Sequence, residues 1–524
     1  MASKLSTLAK NLVTPDFSKF RETGKHFATS DMNLVTCKGV YPYEYTDEWS
    51  KLDENALPDK AEFYTEFYSI LTESAIKDEE YEHAMKVWKH FGCKAIGEYS
   101  DLYLKINVLL LADIFDNVRD VCMKTYNLDP AYYYTTPGFK FDGMLKFTAI
   151  KLELLSDYEM LLMFEDGIRG GLTQTCGMQN QTMKKHQITT RQIQNHGLHQ
   201  SLRLGNVSVY ALRRFQDKWV KPSLDGLYDL TEDSPIGRVY EVHFVYPKKL
   251  HDKHNDLQIL PQNSIPPSSK VRKLMATFEL KKNYVVHYRN LQQAINNGLV
   301  VEKVHRVIQF KQSPWLAQYI ELNTNMREKA ENEFERDFFK LMNNAVFGKT
   351  MENVRKRIDM ELVSCDRRLQ KLINRSTFKY STTYSKNLNA ITLEKKIINF
   401  CKPIYIGFSV LDISKTLMYN CHYNVMKRHY GDDIKLMYTD TDSLVYHIIT
   451  DDFYQDLANN ANLLDKMDTS DLPKDHSCYI PYRKKIPGLF SDETKGDIMT
   501  EFCALRAVIF IHFGWEGNNQ SEGD

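Results

Sequence analysis

Two kinds of hydrophobic period divide the first half of the sequence. Between residues 79 and 130, apolar side chains recur at helical spacing, and the run VLLLADIF continues that pattern, which predicts a mainly helical segment. After Trp219, apolar and polar residues alternate in GRVYEVHFVYP, which predicts a strand. A loop rich in Pro and Ser, Pro261 to Lys270, follows this strand. The change of period indicates a separate helical region in front of one that contains a sheet.

The second half of the chain carries both periods. A long charged helical pattern runs from Thr324 to Val354 and includes KLMNNAVFGKT. The segment KPIYIGFSVLDISKTLMYNCHYNVMKRHY predicts a strand followed by a helix, and KLMYTDTDSLVYHI predicts two strands joined by a turn. We therefore expect an α/β (α+β) protein, with a mixed catalytic domain behind a separate N-terminal domain.

Composition narrows the class of protein. Lys plus Arg and Asp plus Glu number 68 each, so a nucleic-acid surface would need local segregation of charge. The nine cysteines form no CxxC pair and no Cys/His cluster, which indicates reduced thiols in an intracellular protein. No signal-peptide run opens the chain, and the longest apolar stretch, Val108 to Ala112, is too short for a bilayer. We expect a nuclear or cytoplasmic protein that is not secreted and has no membrane partner.

The sharpest chemical signal is the hexapeptide YTDTDS, residues 438–443, between two apolar runs. It predicts the tip of a hairpin. Side chains two apart on a strand face the same way, so Asp440 and Asp442 are expected to direct both carboxylates to one point. Such a pair suits Mg²⁺ beside a triphosphate, because Mg²⁺ takes few protein ligands and keeps waters. The alternative is an Asp-Thr turn that only closes the hairpin.

A second signal is the helical segment KLMNNAVFG. Lys340, Asn344, Phe347 and Gly348 fall on one stripe of a helix. This stripe could present an ammonium to phosphates, an amide for hydrogen bonding and an aromatic ring to a base, while glycine allows close approach. Taken alone, the segment is better explained as an amphipathic helix with a solvated lysine. Its place about a hundred residues before the paired aspartates favours the functional interpretation.

Together these segments resemble the family B DNA polymerases. KLMNNAVFG is similar to their motif B, YTDTDS to their motif C, and GIRGG, residues 167–171, to the link between exonuclease and polymerase domains. Other wording, such as VHRVIQFKQSPWL and GLFSDET, resembles the protein-primed branch, which includes polymerases of Maverick/Polinton-type mobile elements, adenoviruses and linear plasmids. The resemblance runs from about residue 1 to residue 506, with a gap near 174–216.

The resemblance implies a magnesium-dependent nucleotidyl transfer in DNA replication. Asp442 would be the principal ligand of Mg²⁺ and Asp440 a second one, both catalytic. Primer-template DNA and deoxynucleoside triphosphates would be the ligands, with a terminal priming protein as a further partner. The nucleotide would be held by the residues of the motif B stripe, which are Lys340, Asn344, Phe347 and Gly348, and by Arg327 or Lys329 on the preceding helix.

DNA contacts are implied for five further residues, which are Tyr438, Lys349, Arg355, Lys356 and Arg357. The last four form a basic run after motif B that could follow the template or primer backbone. A solvated helix face explains the same run equally well.

The sequence departs from the family at several catalytic positions. The third exonuclease motif, Tyr-x3-Asp, would fall at Tyr103, but residue 107 is Asn107, an amide where a carboxylate should bind metal. The first exonuclease motif is missing, so we expect no proofreading, and Cys93, Tyr99 and Asp113 are interpreted as ordinary domain residues. Motif A, which should supply another metal-binding aspartate before Lys218, is also missing.

These comparisons predict a palm and fingers behind a remnant exonuclease-like domain, with the thumb absent because the chain stops at residue 524. The predicted segments are the exonuclease-like remnant (1–166), a link with the damaged motif A region (167–216), the first part of the palm (217–322), fingers helices with motif B (323–360), the palm with motif C (361–507) and an aberrant tail (508–524). The alternative function is a catalytically inactive polymerase relic that only binds DNA or a partner.

The genetic code offers a reason for the missing motif A. Read from the middle base of each codon, Gly197 through Phe215 can encode D-C-T-N-L-Y-G-W-E-M-S and, shortly afterwards, Y-G-G-F, which is close to motif A. Shifted frames of two further segments, Cys176 through Lys184 and Val508 through Gly523, can also encode sequence that resembles the family. No Asp or Glu occurs from Gly167 to Gln216, as out-of-frame text allows. The hypothesis is a frameshifted gene, by decay or by an error in the gene model, and poor folding at 174–216 and after 507.

Overall fold

The structure is a computed structural model that describes residues 4–58, 77–175, 181–182, 188–195, 211–266, 269–484, 486, 488–492, 498–506 and 509–516. The damaged motif A text at 196–210, and residues 176–180, 183–187, 507–508 and 517–524, lie outside the described residues. The predicted poor folding of these segments therefore stays a prediction.

The described α-helices, numbered in chain order, are α1 (Leu5–Leu12), α2 (Thr23–His26), α3 (Met32–Val35), α4 (Asp78–Phe91), α5 (Ile96–Tyr126), α6 (Thr136–Thr148), α7 (Tyr158–Gly167), α8 (Tyr288–Asn296), α9 (Ala317–Glu328), α10 (Glu333–Thr350), α11 (Asp366–Ile373), α12 (Ile404–Tyr419), α13 (Lys427–Tyr430), α14 (Phe453–Asn459) and α15 (Ala461–Leu464). A π-helical turn, Asn420–Met426, joins α12 to α13.

The described strands are β1 (Thr173–Thr175), β2 (Gln181–Thr182), β3 (Ile188–Asn195), β4 (Ala211–Val220), β5 (Ile236–Val245), β6 (Gln262–Ser264), β7 (Lys273–Met275), β8 (Lys281–His287), β9 (Val300–Ser313), β10 (Ile358–Val363), β11 (Phe378–Ser385), β12 (Leu388–Glu394), β13 (Ile434–Asp440), β14 (Ser443–Ile449), β15 (Met467–Asp468), β16 (Phe490–Asp492), β17 (Ile498–Arg506) and β18 (Ile509–Glu516). The mixture of helices and sheets confirms the predicted α+β class.

The chain forms two compact units. The first unit comprises Met1–Phe139 and Met326–Phe339, and the second comprises Lys140–Asn325 and Lys340–Asp524. This division differs from the predicted border after residue 166. The reason is that α7 buries Met160 and Phe164 in the main core of the second unit, so its apolar side adds to that core.

The described residues of the first unit contain helices and no strands, and α4 and α5 agree with the helical period of 79–130. Asp113 is fully buried on α5 and accepts hydrogen bonds from the main-chain N–H of Glu22 (2.6 Å) and Thr23 (3.1 Å). It therefore anchors the start of α2, which agrees with its interpretation as a structural residue. Tyr103 and Asn107 lie one turn apart on the same helix. Position 107 therefore carries an amide where the predicted Tyr-x3-Asp motif would have a carboxylate.

The second unit is built around two main sheets, in which the described strands pair antiparallel except for the parallel pair of β15 and β16. One sheet has the order β4-β9-β5-β8, and β5 is the predicted strand after Trp219. The larger sheet contains the path β1-β13-β14-β3-β16-β15, with β17, β18 and β2 beyond it. A third, three-stranded sheet has the order β10-β12-β11. The core of this unit combines α7, α8 and α12 with the inner faces of the two main sheets.

The predicted strand over KPIYIGFSV is wrong, because this text begins helix α12. Pro403 precedes its first residue, where proline is tolerated because the first N–H groups of a helix have no partner inside it. The run is rich in β-branched and aromatic residues, which are typical of strands. Thirteen of the sixteen residues of α12 are buried. A helix that is buried on nearly all sides shows no alternation of apolar and polar residues by which it could be told from a buried strand.

Two other predictions at this level need adjustment. The charged helical pattern from Thr324 to Val354 is divided between α9 and α10, which are interrupted at residues 329–332. The loop predicted from Pro261 to Lys270 contains the short strand β6, paired with β7. No described helix is long and apolar enough to cross a membrane.

Candidate polymerase active site

The paired aspartates lie at the tip of a hairpin, as predicted. Strands β13 and β14 are antiparallel, and Asp440 is directly opposite Ser443. Thr441 and Asp442 therefore form a two-residue turn, and Thr441 has a positive φ of 47°. Asp442 lies in the turn and not on a strand, so the argument from strand alternation does not apply to it. The turn itself brings the two residues together, and the Asp442 N–H contacts the Asp440 carbonyl oxygen.

The two carboxylates differ in environment. Asp442 is only 6% exposed, and Asp440 is half-buried. Oδ1 of Asp440 accepts hydrogen bonds from the hydroxyls of Thr173 (2.7 Å) and Thr441 (3.2 Å). These bonds orient the Asp440 carboxylate, which lies two residues before the buried Asp442.

The GIRGG segment, residues 167–171, packs directly on this turn. Strand β1 continues from it and pairs with β13, placing Thr173 opposite Asp440. The N–H of Thr441 donates to the carbonyl of Leu172 at 3.0 Å. A Cβ atom on Gly171 would lie 2.1 Å from Oγ1 of Thr441, whereas one on Gly170 would meet nothing within 4 Å. The segment therefore fixes the position of the hairpin tip through a glycine contact.

This contact gives a prediction for Gly171→Ala. The added methyl group overlaps the Thr441 side chain, and such overpacking typically costs about 1–3 kcal/mol. We expect a lower free energy of unfolding in urea than for the parent chain. Gly170→Ala is the matched control and should have no such cost. Combining Gly171→Ala with Thr441→Gly should restore most of the stability, and equal losses in the two alanine variants would contradict the contact.

A buried polar cluster makes hydrogen bonds to the same segment, residues 167–171. Nζ of Lys415, on α12, donates to the carbonyl of Arg169 at 2.8 Å. The Arg169 guanidinium donates to the carbonyls of Gly167 (3.1 Å) and Val285 (2.9 Å). Asp412 is buried one turn before Lys415, and burial raises the pKa of its carboxyl. Burial lowers the pKa of Lys415 to about 8. The cluster links α12 to the segment that contacts the aspartate turn.

A second buried group lies behind strand β14. Nδ1 of His422, in the π-helical turn, is 2.9 Å from the hydroxyl of Tyr446. Nε2 of the same ring is 3.3 Å from Asp256, which also pairs with Lys427 at 2.9 Å. Burial lowers the pKa of His422, while hydrogen bonds and charge from His422 and Lys427 hold the pKa of Asp256 below its ordinary value. The sequence analysis did not single out this group, since its members are far apart in the chain.

The predicted nucleotide-binding stripe lies on helix α10, which confirms the helical placement of KLMNNAVFG. Lys340, Asn344 and Phe347 are half-buried and Gly348 is exposed. A Cβ on Gly348 would meet nothing within 4 Å, so the protein leaves open space there. Gly407 on α12 allows the end of α10 to approach, because its Cβ would lie 2.1 Å from Met351. Helix α12 therefore supports both α10 and the segment on the aspartate turn.

Comparison with known proteins identifies this region. Residues 227–427 match the family described as DNA polymerase type B, organellar and viral. This match covers less than half of the chain. The prediction of a family B DNA-directed DNA polymerase is confirmed at the level of the family. The match includes the motif B helix and ends before the aspartate hairpin.

Solved structures of Phi29 DNA polymerase are also similar to the chain. A binary complex with primer-template DNA has 15% identity and a TM-score of 0.46, and covers 82% of this chain and 59% of its own. A ternary complex with incoming nucleotides has 12% identity and a TM-score of 0.46, and covers 90% of this chain and 65% of its own. This chain therefore spans about three fifths of the length of those polymerases. A comparison with curated proteins finds no match.

Arg327 and the basic run after motif B have defined surroundings. Arg327, at the end of α9, belongs to the first compact unit, and burial lowers the pKa of its guanidinium. Lys349 and Arg357 both pair with Glu352, at 2.8 and 2.7 Å. Those partners lower the pKa of Glu352 to about 2, with the Arg357 hydrogen bond as the largest cause.

The other two members of the run differ from each other. Arg355 makes a bidentate pair with Glu165 on α7, at 3.1 and 3.0 Å, so it fastens the end of the motif B segment to α7. Lys356 is exposed. Of the four basic residues, Lys356 is the one best placed for a phosphate, and DNA binding by the other three would have to compete with their acidic partners.

Tyr438 does not lie on an open surface of the polymerase domain. It is 4% exposed and packs in a small cluster with Met437 and Val445. Burial, followed by the nearby charge of Asp440, raises the pKa of its hydroxyl to about 12. The predicted contact between Tyr438 and DNA would therefore need the surrounding residues to move.

Strand β3, which pairs with β14, carries no acidic residues. Strand β3 pairs antiparallel with β14, and Gln194 lies opposite Ser443 at the end of the hairpin. β3 ends at Asn195, directly before the undescribed residues 196–210. Within the described part of the chain, no group of three or more His, Cys, Asp or Glu side chains could hold a metal ion.

Proposed function

We propose that the chain acts as a protein-primed DNA-directed DNA polymerase. It would add deoxynucleotides to a primer in the replication of a mobile element or a virus. The observation that carries this proposal is the fixed turn bearing Asp440 and Asp442, together with the motif B stripe inside a type B polymerase segment. Template-primer DNA and deoxynucleoside triphosphates would be its ligands, and a terminal protein would supply the priming hydroxyl.

The donor set at the hairpin suits Mg²⁺. This ion commonly binds one or two protein carboxylates and completes its octahedron with waters and substrate phosphates. Asp440 and Asp442 would hold it, and the ion would supply charge stabilisation to the phosphoryl group being transferred. The contribution of the protein is orientation: Thr173 and Thr441 fix the carboxylate of Asp440, and Gly171 fixes the turn.

Helix α10 would bind the incoming nucleotide. The ammonium of Lys340 would meet the triphosphate, Asn344 and Phe347 would border the sugar and base, and Gly348 leaves space for the ligand. Arg327 and Lys329 belong to the first compact unit, and their predicted phosphate contact stays a prediction. Lys356 would be the most available cation for the DNA backbone, with Lys349, Arg355 and Arg357 as conditional contacts.

The second candidate function is an inactive relic that only binds DNA or a partner. The observation that favours it is the stretch from Gly167 to Gln216, which has no Asp or Glu and so offers no motif A carboxylate. Two-metal polymerase chemistry needs ligands from both motifs. Both candidates would work inside the cell, in the nucleus or cytoplasm, where the seven described cysteines stay free.

A primer-extension assay with Mg²⁺ separates the two candidates. The chain is incubated with a primed template and all four deoxynucleotides, and EDTA serves as the metal-free control. Template-dependent, EDTA-sensitive extension supports the polymerase. DNA binding without extension, measured on the same preparation, supports the relic.

Lys340→Ala tests the nucleotide site in any chain that extends primers. We expect the apparent nucleotide KM to rise more than DNA affinity falls, because the ammonium meets the phosphates of the nucleotide. Lys340→Arg should retain part of the affinity, and Lys282→Ala, which removes an exposed lysine on β8, is the matched control. An unchanged KM with weaker DNA binding would place Lys340 in the template groove instead.

A further inference from the structure

The outward side of helix α5, in the first compact unit, carries large apolar side chains. The inward side is already packed, because Ile106 and Leu110 lie in a core with residues of α1 and α3. The exposed fractions on the outward side are 61% for Leu104, 57% for Val108, 59% for Leu111 and 43% for Phe115. We call these four side chains the α5 stripe. An apolar patch of this kind marks an interaction site.

The spacing of the α5 stripe is that of a helix–helix seam. Its members are four, three and four residues apart along the chain. This is the spacing of the a and d positions of a coiled coil, at which two helices bury a narrow apolar seam against each other. A helix whose outward side is only solvated carries polar residues there instead. The α5 stripe therefore fits a partner helix that runs nearly along α5.

Opposite charges lie at the two ends of the α5 stripe. Asp101 lies one turn before Leu104 and Arg119 lies one turn after Phe115, and both are exposed. Their spacing of 18 residues places both side chains on the same side of the helix, about 27 Å apart along its axis. Nε and Nη2 of Arg119 donate to Asp129, which leaves Nη1 to donate to a further carboxylate.

We propose that the α5 stripe binds the same stripe of a second copy of this chain, with the two helices antiparallel. Leu104 of each copy would then pack on Phe115 of the other, and Val108 on Leu111. A two-fold axis would pass between residues 109 and 110, so that one register satisfies all four apolar contacts. Such a self-complementary patch is what a symmetric dimer requires.

The charges at the ends of the α5 stripe favour a second copy and set its direction. In the antiparallel register, Asp101 of each copy lies beside Arg119 of the other. A parallel pair would place like charges together at both ends, which is unfavourable. Exposed ion pairs add little free energy, so the apolar contacts would supply the affinity and the charges the orientation. The inference concerns assembly and does not depend on the polymerase reaction.

The mass of the full chain in solution, measured by light scattering over a concentration series, tests the proposal. We expect the parent to approach twice 61.3 kDa. Val108→Lys/Leu111→Lys should raise the concentration for half-dimerisation by at least about a hundredfold, because it places four ammonium groups at the centre of the seam. Val271→Lys/Val300→Lys is the matched control, since these valines are 62% and 51% exposed in the second unit. It should dimerise like the parent.

Charge reversal tests the direction of the two helices. Asp101→Arg alone and Arg119→Asp alone should each weaken dimerisation, because each variant brings like charges together at both ends. An equimolar mixture of the two variants should recover it, since every mixed pair again has opposite charges at both ends. Asp129→Asn controls for the Arg119–Asp129 pair within one chain and should dimerise like the parent. Thermal unfolding verifies that all variants fold.

Three outcomes would overturn the proposal. A parent that stays monomeric at every concentration would assign the α5 stripe to another partner. A dimer that the lysine double variant leaves unchanged would place the interface elsewhere on the chain. A mixture of the two reversed variants that dimerises no better than either variant alone would exclude the antiparallel register. Primer extension is measured separately, so an inactive chain that dimerises through the α5 stripe supports this inference while contradicting the polymerase.

Discussion

Asp442→Asn is expected to abolish Mg²⁺-dependent primer extension while leaving the fold intact. The substitution keeps the shape of a side chain that is 6% exposed in the hairpin turn, but removes the charge that would hold the metal where the transition state needs a cation. The expected loss is on the order of a thousandfold or more, which corresponds to several kcal/mol of transition-state stabilisation. The measurement is the single-turnover extension rate on a primed template.

The experiment needs a chain that is active before substitution, so the parent is the chain with its motif A reading frame restored. Asp432→Asn is the matched control, since this aspartate is exposed just before β13 and lies outside the proposed site. It should leave the rate unchanged. Thermal unfolding of both variants verifies that they fold like the parent. Extension by the Asp442 variant at more than a small fraction of the parent rate would remove Asp442 from the metal site.

The hairpin could be predicted from the sequence because its signals are local. Two apolar runs flank a short polar segment, and this pattern depends only on residues within a few positions of each other. The orientation of Asp442 could not be predicted in the same way. It depends on a two-residue turn with Thr441 at positive φ, and that conformation is held by Gly171, about 270 residues earlier in the chain.

Helix α12 shows why buried elements are difficult to assign from sequence. The amino-acid composition of this segment favours a strand, yet the segment is a helix. It packs against both the end of the motif B helix and the segment that contains Gly171. An element surrounded by core has no polar side to reveal its period. Its two buried charges, Asp412 and Lys415, are one turn apart, and this spacing was the available sign of a helix.

The three-stranded sheet β10-β12-β11 was not predicted as a separate sheet, because the sequence analysis divided its residues between the fingers (323–360) and the palm (361–507). A signal was present: apolar and polar residues alternate in FKYSTTYS and in LNAITLE, and Lys386-Asn387 separates the two runs as a tight turn would. Which face of this sheet is exposed could not be predicted, because that depends on the face that α11 covers. That choice is made by Leu372 and its contacts across the sheet.

The largest effect is expected from the reading frame of the motif A region. The structure adds a reason to expect an aspartate there: β3 lies beside β14, with Gln194 opposite Ser443, and ends two residues before Gly197. In the middle-base frame the codon across Gly197 can encode that aspartate.

We therefore predict that the nucleotide sequence reads Asp in the middle-base frame at Gly197 and stays free of stop codons to Phe215. A chain expressed with this frame restored should extend primers on the order of a thousandfold faster than the chain as written, because a second acidic ligand completes the metal site. The matched control is the restored chain with asparagine at the new aspartate, which should be as inactive as the chain as written. A stop codon in that frame, a different residue at Gly197, or equal activity of the restored and control chains would contradict the hypothesis. Because β3 pairs with the hairpin strand β14 and contributes no carboxylate, the inactive relic would then be the better description of this chain.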